Sequence, residues 1–488
     1  MRILFVTSEA VPFAKTGGLA DVSNALPRAL QSLGHDVALA LPNYRDARQN
    51  APQPVEDPGV KLRVPVGQET VEGRLLRTTL TEPDVPVWLI DQPAYYDREA
   101  LYGKPSEEYR DNAERFIFFS RAVLSAAREL GWAPDVYHCN DWQAALVPIY
   151  LACGLRDDPF YSDSRSLLTI HNLAYQGTFP AKAFALTGLD ESHFNWRELE
   201  FHGKLNLLKG GLVFADVLST VSRRYAKEIQ TEEFGCGLEG VLSARAGDLF
   251  GIVNGIDYSV WDPRTDPLIP ATYSADDLTG KAVCKRALQR ECGLPERDEP
   301  LVGMVSRLDK QKGLDILAEV FDEMMDLGIQ FVLLGTGGAE YERRFAAFAK
   351  QYPDHFCAHI SFDNALAHRI EAGSDMYLMP SRYEPCGLNQ LYSLRYGAVP
   401  VVRKTGGLAD TITNCTPTAL AKETANGFSF QSYRPRALLA AMKRAVKLFA
   451  ARRAWRRLML TGMRQDWSWG RSARQYVEVY ERAEARNE

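Results

Sequence analysis

The chain has 488 residues, more than one ordinary hydrophobic core accommodates, and this length predicts two or three domains. Hydrophobic residues make up 46% and charged residues 24%, a balance typical of a globular enzyme. The net charge of −5, without a long basic run, argues against nucleic acid as a partner. The most apolar windows fall short of the ~20 residues that cross a membrane, so no membrane partner is expected.

The cysteines and the start of the chain predict its compartment. Eight cysteines are scattered without a C-x-x-C pair, which favours a reducing compartment and argues against a zinc site. Strand-like sequence begins at Ile3, so we expect no signal or transit peptide. Together these features predict a bacterial cytoplasmic protein.

The first segment reads as a strand, a loop, a helix and a second strand. The strand covers residues 3–7, the helix 21–33 and the next strand 35–41, an order typical of a doubly wound α/β domain. The loop lacks G-x-G-x-x-G, so a nicotinamide site is not supported. It contains Lys15-Thr-Gly-Gly instead, whose glycines let backbone N–H groups approach an anion while Lys15 adds charge. A surface lysine before a glycine turn is the alternative.

Residues 51–100 are rich in proline and alternate in short runs, which predicts hairpins inserted in the first domain. Tyr95 lies in a turn, residues 93–97, that carries two aromatic rings. The turn fits either a sugar-stacking patch or simple packing.

Two polar residues follow predicted strands further along. Asp141 comes directly after the strand 135–139, and His171 follows the strand 167–170. The carboxyl ends of parallel strands share one edge of a sheet, so both are expected on the edge that carries Lys15. A single histidine there is often structural, but three polar residues from successive strands favour a binding site. A turn-rich stretch near Asn254 then predicts a domain boundary.

The second domain carries two cations after its first strand, Leu301–Val305. Arg307 can fork onto a diphosphate, and Lys312 can add a second positive charge. The alternative is ordinary surface charge on the following helix.

The stretch 375–410 holds the strongest pattern. An apolar strand, Met376–Met379, leads through a polar loop with Glu384 into a helix that we expect to begin at Cys386. The N–H groups of residues 387–389 would form a helix N-terminus suited to anions. A carboxylate beside a phosphate cradle suits a phosphorylated sugar donor, and a helix-capping role for Glu384 is the alternative.

The heptapeptide KTGGLAD occurs twice, at 15–21 and 404–410. Each copy follows a strand and opens a helix, which fits a reused glycine turn or two half-sites facing across a cleft. We favour the functional interpretation for the first copy and extend it to the second. Nearer the end of the chain, residues 434–457 predict one basic amphipathic helix, and residues 467–484 a final helix.

Six motifs in this order resemble bacterial glycogen synthases and plant starch synthases. They are Lys15 to Asp21, Asn140-Asp-Trp142, His171-Asn-Leu173, Asn254-Gly-Ile-Asp257, Arg307 with Lys312, and Glu384-Pro-Cys-Gly-Leu388 with Lys404 to Asp410. The resemblance implies the α/β GT-B fold, in which two Rossmann-like, doubly wound domains face each other across a cleft. It places the N-terminal domain at 1–250, the nucleotide-sugar domain at 251–460, and a helix that crosses back to the first domain at 461–488.

The resemblance also implies an activity, namely transfer of glucose from ADP-glucose to the non-reducing 4-hydroxyl end of glycogen or another α-1,4-glucan, with retention of configuration. The catalytic residues carried over are Glu384, Arg307, Lys312, His171 and Asp141. The substrate-binding residues are Lys15, Gly18, Asp21, Tyr95, Asn254, Phe362, Cys386, Gly387, Leu388 and Asn389. Two positions depart from the family pattern, because Asn389 stands where threonine is common and Phe362 where tyrosine often stacks near adenine.

No cofactor and no metal are expected, since the sequence contains no D-x-D motif that could bridge a metal to the diphosphate. No residue is an obvious nucleophile, although Asp141 is a candidate, so we expect front-face attack. A UDP-glucose-using transferase with another acceptor remains the nearer alternative. A pyridoxal-phosphate-dependent glucan phosphorylase and a non-catalytic glucan-binding protein are more distant ones.

Overall fold

The computed structural model describes residues 1–104 and 107–485 and divides the chain into two compact units. Unit 1 comprises Met1–Gly255 and Trp469–Glu488, and unit 2 comprises Ile256–Ser468. No helix within the described ranges combines the length and the apolar composition that a membrane crossing needs.

Among the described residues, unit 1 contains a nine-stranded sheet flanked by helices and two smaller sheets of three and two strands. Its strands are β1 (Arg2–Val6), β2 (Asp36–Pro42), β3 (Lys61–Val66), β4 (Glu69–Leu80), β5 (Val85–Asp91), β6 (Gly103–Lys104), β7 (Glu107–Glu108), β8 (Val136–Asn140), β9 (Arg165–Ile170), β10 (Thr178–Pro180), β11 (Glu200–Phe201), β12 (Lys204–Asn206), β13 (Val217–Thr220) and β14 (Leu249–Gly251). Its helices before the division are α1 (Gly18–Ser32), α2 (Pro93–Tyr96), α3 (Asn112–Glu129), α4 (Asp141–Ala144), α5 (Leu146–Cys153), α6 (Leu207–Phe214), α7 (Arg223–Glu228) and α8 (Glu239–Ala244), with 3₁₀ turns at Ala181–Thr187 and Glu191–His193.

The strand order of the large sheet is β14-β13-β9-β8-β1-β2-β5-β4-β3. The pairs are parallel except for β3 with β4 and β4 with β5, so β3 and β4 form the hairpin expected in the proline-rich region. From β1 the chain builds outwards through β2 on one side and later through β8 on the other. The order therefore reverses between β1 and β8, and ligands of open α/β sheets bind beyond the carboxyl ends of the strands at such a point.

Unit 2 repeats this plan with a sheet that is parallel throughout. Its elements are α9 (Thr279–Glu291), β15 (Leu301–Val305), a 3₁₀ turn (Lys310–Lys312), α10 (Leu314–Glu319), α11 (Phe321–Met325), β16 (Gln330–Leu334), α12 (Ala339–Gln351), β17 (Phe356–His359), α13 (Asn364–Gly373), β18 (Met376–Met379), α14 (Asn389–Tyr396), β19 (Val399–Arg403), α15 (Gly406–Thr411), α16 (Pro417–Ala421), β20 (Phe428–Phe430), α17 (Pro435–Ala450) and α18 (Arg452–Met463). The strand order is β17-β16-β15-β18-β19-β20, so here the reversal falls between β15 and β18.

The central parallel strands of both sheets are apolar on both faces, as a doubly wound fold requires, whereas β3 alternates buried and exposed residues. Along β1, Leu4 and Val6 belong to one core, while Ile3 and Phe5 belong to the core on the opposite face. The strands of unit 2 divide their side chains between two cores in the same alternating way. Since both faces of the central strands are covered, the loops at their ends are the parts of these strands left for binding.

The final helix, α19 (Trp469–Glu484), belongs to unit 1. Tyr476 and Tyr480 are buried in the same core as Ile3, and the Tyr480 hydroxyl lies 2.7 Å from Nδ1 of the buried His138. The divisions at Gly255 and Ser468 follow the expected boundaries of 250 and 460 by a few residues. The pairing of β14 with β13 holds the chain in unit 1 past residue 250, and α18 packs into a core of unit 2.

The prediction of a single helix over residues 434–457 is wrong. Two helices occupy this region, α17 and α18, and Ala451 separates them with φ −88° and ψ 72°, outside the helical range. Both helices have an apolar face on the same core, so their hydrophobic patterns run together in the sequence.

Candidate active site

The reversal point of unit 2 holds an ion pair between two predicted site residues, a half-buried lysine and a buried glutamate. Lys312, in the loop after β15, places Nζ 3.0 Å and 2.8 Å from the two carboxylate oxygens of Glu384, in the loop after β18. The side chains are 18% and 7% exposed, and the Ser381 hydroxyl donates to Glu384 at 2.9 Å. Charge-assisted contacts of this kind hold both side chains in place. The charged pair therefore lies at the carboxyl ends of β15 and β18, where a donor substrate is expected to bind.

The local sequence explains how the two loops meet. Asp309 accepts the N–H of Lys312 at 3.1 Å and caps the 3₁₀ turn that presents the lysine. Gly313 follows with φ +77°, and a Cβ there would lie 2.1 Å from the carbonyl oxygen of Pro380. Only glycine permits both the left-handed backbone and this close approach.

Arg307 lies on the exposed side of the same loop. Its guanidinium donates to the side-chain oxygen of Gln311 at 2.9 Å and lies 3.3 Å from a carboxylate oxygen of Asp309. The structure thus brings Lys312 to Glu384, while Arg307 is held by its own loop and about half exposed.

The helix after Glu384 begins later than predicted. Gly387 has φ +72°, which a right-handed helix cannot include, so Leu388 is the N-cap and α14 starts at Asn389 rather than at Cys386. Cys386 is buried, and Leu388 is half-buried. The Asn389 side chain donates to the Tyr377 hydroxyl at 2.6 Å and to the Val305 carbonyl at 3.2 Å. The asparagine therefore ties α14 to β15 and β18.

The second KTGGLAD copy packs directly beneath the Glu384 loop. A Cβ on Gly406 would lie 1.9 Å from the carbonyl oxygen of Glu384, and one on Gly407 1.9 Å from that of Cys386. The Gly407 N–H also donates to the carbonyl of Glu384 at 3.1 Å. In the first copy, by contrast, a Cβ on Gly17 would meet nothing within 4 Å. These contacts favour a structural interpretation of the second copy, as a platform for the Glu384 loop.

The reversal point of unit 1 holds Asp141, close to His171. Asp141 begins α4 with a left-handed φ of 54°, and its carboxylate accepts the backbone N–H of His171 at 2.7 Å. Burial raises the pKa of Asp141 to about 7, although the backbone N–H groups of His171 and Asn172 act in the opposite direction. Near neutral pH this carboxyl group is therefore divided between its charged and protonated forms.

The protonation of His171 follows from its neighbour Asn140. The Asn140 amide nitrogen donates to the carbonyls of Val6 and His138 at 3.0 Å and 3.2 Å, so its oxygen faces Nε2 of His171 at 2.9 Å. That nitrogen must carry the proton, which leaves Nδ1 as an acceptor. Burial lowers the pKa of His171 to about 3, so the ring is neutral at physiological pH.

The Lys15 loop is held by Glu9, a residue that the sequence analysis missed. The buried Glu9 carboxylate accepts the N–H groups of Thr16 at 2.6 Å and Gly17 at 3.1 Å. Lys15 itself is exposed and pairs with Asp21 at 2.7 Å, and Gly18 is the exposed first residue of α1. Glu9 follows β1 closely in the sequence. The argument that placed Asp141 at the carboxyl end of a parallel strand therefore also applies to Glu9.

The remaining predicted contacts have varied surroundings. Tyr95 is half-buried and packs edge-on against Phe118 at 5.6 Å, a contact that the simple-packing alternative predicts. Phe362 is 87% exposed. Asn254 is buried, and its side-chain oxygen has no hydrogen-bond partner within residues 1–104 and 107–485.

Comparison with known proteins identifies the family. The model of the starch synthase catalytic domain matches residues 2–244, and that of the glycosyl transferases group 1 matches residues 286–457. The chain is 49% identical to a glycogen synthase of Koribacter versatilis, covering 99% of this chain and 98% of the relative. It is 48% identical to a glycogen synthase of Syntrophotalea carbinolica, covering 99% of both. This chain belongs to the glycogen synthase family.

A solved structure extends the comparison to the fold. The catalytic domain of starch synthase IV from Arabidopsis thaliana, bound to ADP and acarbose, matches with a TM-score of 0.91 and 34% identity, covering 99% of each chain. The predicted GT-B fold class and the predicted glycogen synthase activity are thereby confirmed, and the chain is a glycosyltransferase. The roles of individual site residues remain predictions.

Proposed function

We propose that this glycogen synthase takes glucose from ADP-glucose and adds it to the non-reducing 4-hydroxyl end of glycogen or a related α-1,4-glucan, with retention of configuration. The observation that carries the choice of nucleotide is the likeness to the starch synthase IV domain, which was solved bound to ADP and acarbose. The glycogen synthase relatives, similar over the whole chain, support the glucan acceptor.

In unit 2, the ion pair of Lys312 and Glu384 supplies the donor site. The Glu384 carboxylate accepts hydrogen bonds from glucosyl hydroxyls, and Lys312 neutralises the diphosphate beside it. Arg307, exposed on the same loop, binds the diphosphate together with Lys312 when the donor binds. We call these two cations the diphosphate clamp. Stabilising negative charge on the departing diphosphate is the largest contribution that such a site makes.

Further contacts of unit 2 complete the donor site. The backbone of residues 386–389 approaches the sugar and phosphate, and the exposed ring of Phe362 stacks on the adenine. The Asn389 side chain is already bonded to Tyr377, so this residue contributes its backbone N–H rather than its amide.

In unit 1, Asp141 and His171 orient the transferred glucose. The neutral His171 ring offers Nδ1 as an acceptor for a hydroxyl, and partly protonated Asp141 can either donate or accept a hydrogen bond. Lys15, Gly18 and Asp21 lie at the N-terminus of α1 and bind the donor there. Tyr95 and Asn254 make further contacts with the substrates.

These residues suit front-face attack better than a double displacement. Asp141 carries only part of a negative charge at neutral pH and is fixed by the His171 N–H, which makes it a poor nucleophile. We propose that diphosphate oxygens help to deprotonate the acceptor hydroxyl, while the clamp lowers the barrier by orientation and charge. Lysine and arginine supply this charge, so no metal is required at the diphosphate.

The rival is a related transferase that prefers UDP-glucose or another acceptor. Initial rates with ADP-glucose and UDP-glucose on glycogen separate the two, and NMR of the new linkage reports its configuration. We expect kcat/KM to favour ADP-glucose by at least about tenfold, which corresponds to ~1.4 kcal/mol of transition-state binding, with an α-linkage in the product. A preference for UDP-glucose would overturn the donor assignment, and a β-linkage would overturn retention.

A further inference from the structure

Two cysteines and a histidine of unit 2 come together beside the edge strand of its sheet. Cys292 ends α9, whereas Cys357 and His359 lie two residues apart on β17. Side chains alternate along a strand, so Cys357 and His359 project from the same face of β17. Phe356 projects from the opposite face into a separate core. Three side chains that can bind a metal thus lie together beside one face of β17. The sequence contains no C-x-x-C spacing that would have predicted this cluster.

The geometry of this cluster matches tetrahedral zinc. His359 Nε2 lies 3.6 Å from Cys292 Sγ and 3.3 Å from Cys357 Sγ, and the three ligand atoms lie within 4.8 Å of one another. Tetrahedral Zn²⁺, with Zn–S ~2.3 Å and Zn–N ~2.05 Å, places its sulfur and nitrogen ligands about 3.6 Å apart. We propose that Cys292, Cys357 and His359 bind one Zn²⁺ ion.

The chemistry of the three ligands supports this choice of ion. Two thiolates balance the charge of Zn²⁺, and sulfur with imidazole nitrogen is a donor set that borderline-soft cations prefer. Neither cysteine is in a disulfide. The neighbouring Glu291 pairs with Arg369 at 2.8 Å, so its carboxylate is engaged elsewhere. The three side chains are half-buried, so water can reach the fourth coordination position.

The ion would act on a defined part of unit 2. It would join the end of α9 to β17, a strand at the edge of the sheet. His359 is also the last residue of β17 before the segment that carries Phe362. The zinc site therefore stabilises unit 2 and anchors this segment, and it takes no part in glucosyl transfer.

Zinc binding to the full-length protein tests the proposal. The reduced protein is titrated with Zn²⁺ against a chromophoric chelator, and we expect one ion per chain with release of protons from the two thiols. Co²⁺ should give thiolate-to-cobalt absorption in the near ultraviolet. Cys357→Ser and His359→Ala should each weaken Zn²⁺ affinity by at least ~10²-fold, since losing a ligand exceeds the 10- to 100-fold effect of losing a residue that orients one.

The control is Cys415→Ser, which removes a half-buried cysteine of unit 2 outside the cluster and should leave Zn²⁺ affinity unchanged. Circular dichroism of the metal-free variants verifies folding, and Cys292→Ser replaces any variant that fails to fold. Affinity unchanged in the cluster variants would overturn the proposal. Failure of the reduced protein to take up zinc would also overturn it, whether or not Cys292 and Cys357 form a disulfide in air.

Discussion

At the scale of single residues, Glu384 and Lys312 hold each other through two contacts of 3.0 Å and 2.8 Å. Glu384→Gln keeps the shape and removes the charge, so we expect kcat to fall at least ~10²-fold while ADP affinity stays within about tenfold. ADP lacks the glucose that the carboxylate is proposed to hold. Steady-state kinetics and calorimetric ADP binding measure the two effects.

The control for this prediction is Glu340→Gln, at an exposed position of α12, which should leave kcat and ADP affinity unchanged. If Glu384 served only to position the loop, Glu384→Gln would lower Tm slightly and leave kcat intact. A fully active Glu384→Gln enzyme would remove this residue from the site.

Lys312 and Arg307 should differ in how a substitution acts. Lys312→Ala leaves the buried Glu384 carboxylate without its cation, so it should lower turnover at least ~10²-fold and also lower Tm. Arg307→Ala should lower turnover by a similar factor and leave Tm nearly unchanged, because its pairing with Asp309 is exposed. Lys310→Ala, two residues from Lys312 and exposed, is the matched control. Near-normal turnover in both variants would refute the clamp.

Asp141 gives stability a pH dependence of known sign. Burial raises its folded-state pKa to about 7 from the ordinary value of 3.8, so the unfolded chain loses this proton first and the carboxyl disfavours folding progressively as pH rises from about 4 to about 7. Asp141→Asn removes the effect, keeps an acceptor for the His171 N–H, and suits the left-handed backbone. The variant should match the native Tm near pH 4 and exceed it above pH 7.

Thermal unfolding of both proteins across this range measures the difference. Asp46→Asn, at an exposed position of unit 1, should give a Tm difference that does not vary with pH. An Asp141→Asn difference of equal size at pH 4 and pH 8 would contradict the raised pKa.

At the scale of elements, the two KTGGLAD copies offer a paired test of what a repeated sequence does. Gly17 and Gly406 occupy equivalent positions, yet a Cβ would meet nothing within 4 Å at Gly17 and the Glu384 carbonyl at 1.9 Å at Gly406. Gly406 also has a left-handed φ of +44°, whereas Gly17 is extended at −151°. Gly406→Ala should therefore destabilise the protein by about 1–3 kcal/mol or more and displace the Glu384 loop.

Gly17→Ala is the matched variant and should leave Tm close to that of the native protein. Thermal and denaturant unfolding of both variants, together with ADP binding, test the difference. Equal destabilisation by the two substitutions would mean that the copies have the same structural role.

At the scale of the whole molecule, the proposed chemistry predicts how activity responds to chelation. The chain has no D-x-D motif, and Lys312 and Arg307 supply the positive charge at the diphosphate, so initial rates should persist in excess EDTA. Complete loss that Mg²⁺ or Mn²⁺ restores would place a metal at the diphosphate. Mg²⁺ prefers oxygen ligands and would not refill a site made of two thiolates and an imidazole, so the zinc cluster cannot produce that result.

The architecture and most of the candidate site could be predicted from the amino-acid sequence. Buried parallel strands are short apolar runs whose ends are marked by glycine and polar residues, and this local pattern located β1, β8, β9, β15 and β18 and the loops that follow them. Strand direction then placed Asp141, His171, Lys312 and Glu384 at carboxyl ends, because parallel strands share that edge. Most of the family motifs that identified the chemistry lie in these same loops, while residues 254–257 follow β14 and the second KTGGLAD copy follows β19.

Which of these residues contact each other could not be predicted, because those contacts depend on how the folded chain packs. The Lys312–Glu384 pair joins positions 72 residues apart, and no local pattern encodes contacts at that separation. The start of α14 depended on the left-handed backbone of Gly387, and the role of the second KTGGLAD copy on the carbonyl beneath Gly406. The meeting of Cys292 with Cys357 and His359 depended on how close the end of α9 comes to β17 in the folded chain. Local periodicity specifies the elements and their buried faces, while side-chain contacts between distant segments arise only once the sheet and helices have packed.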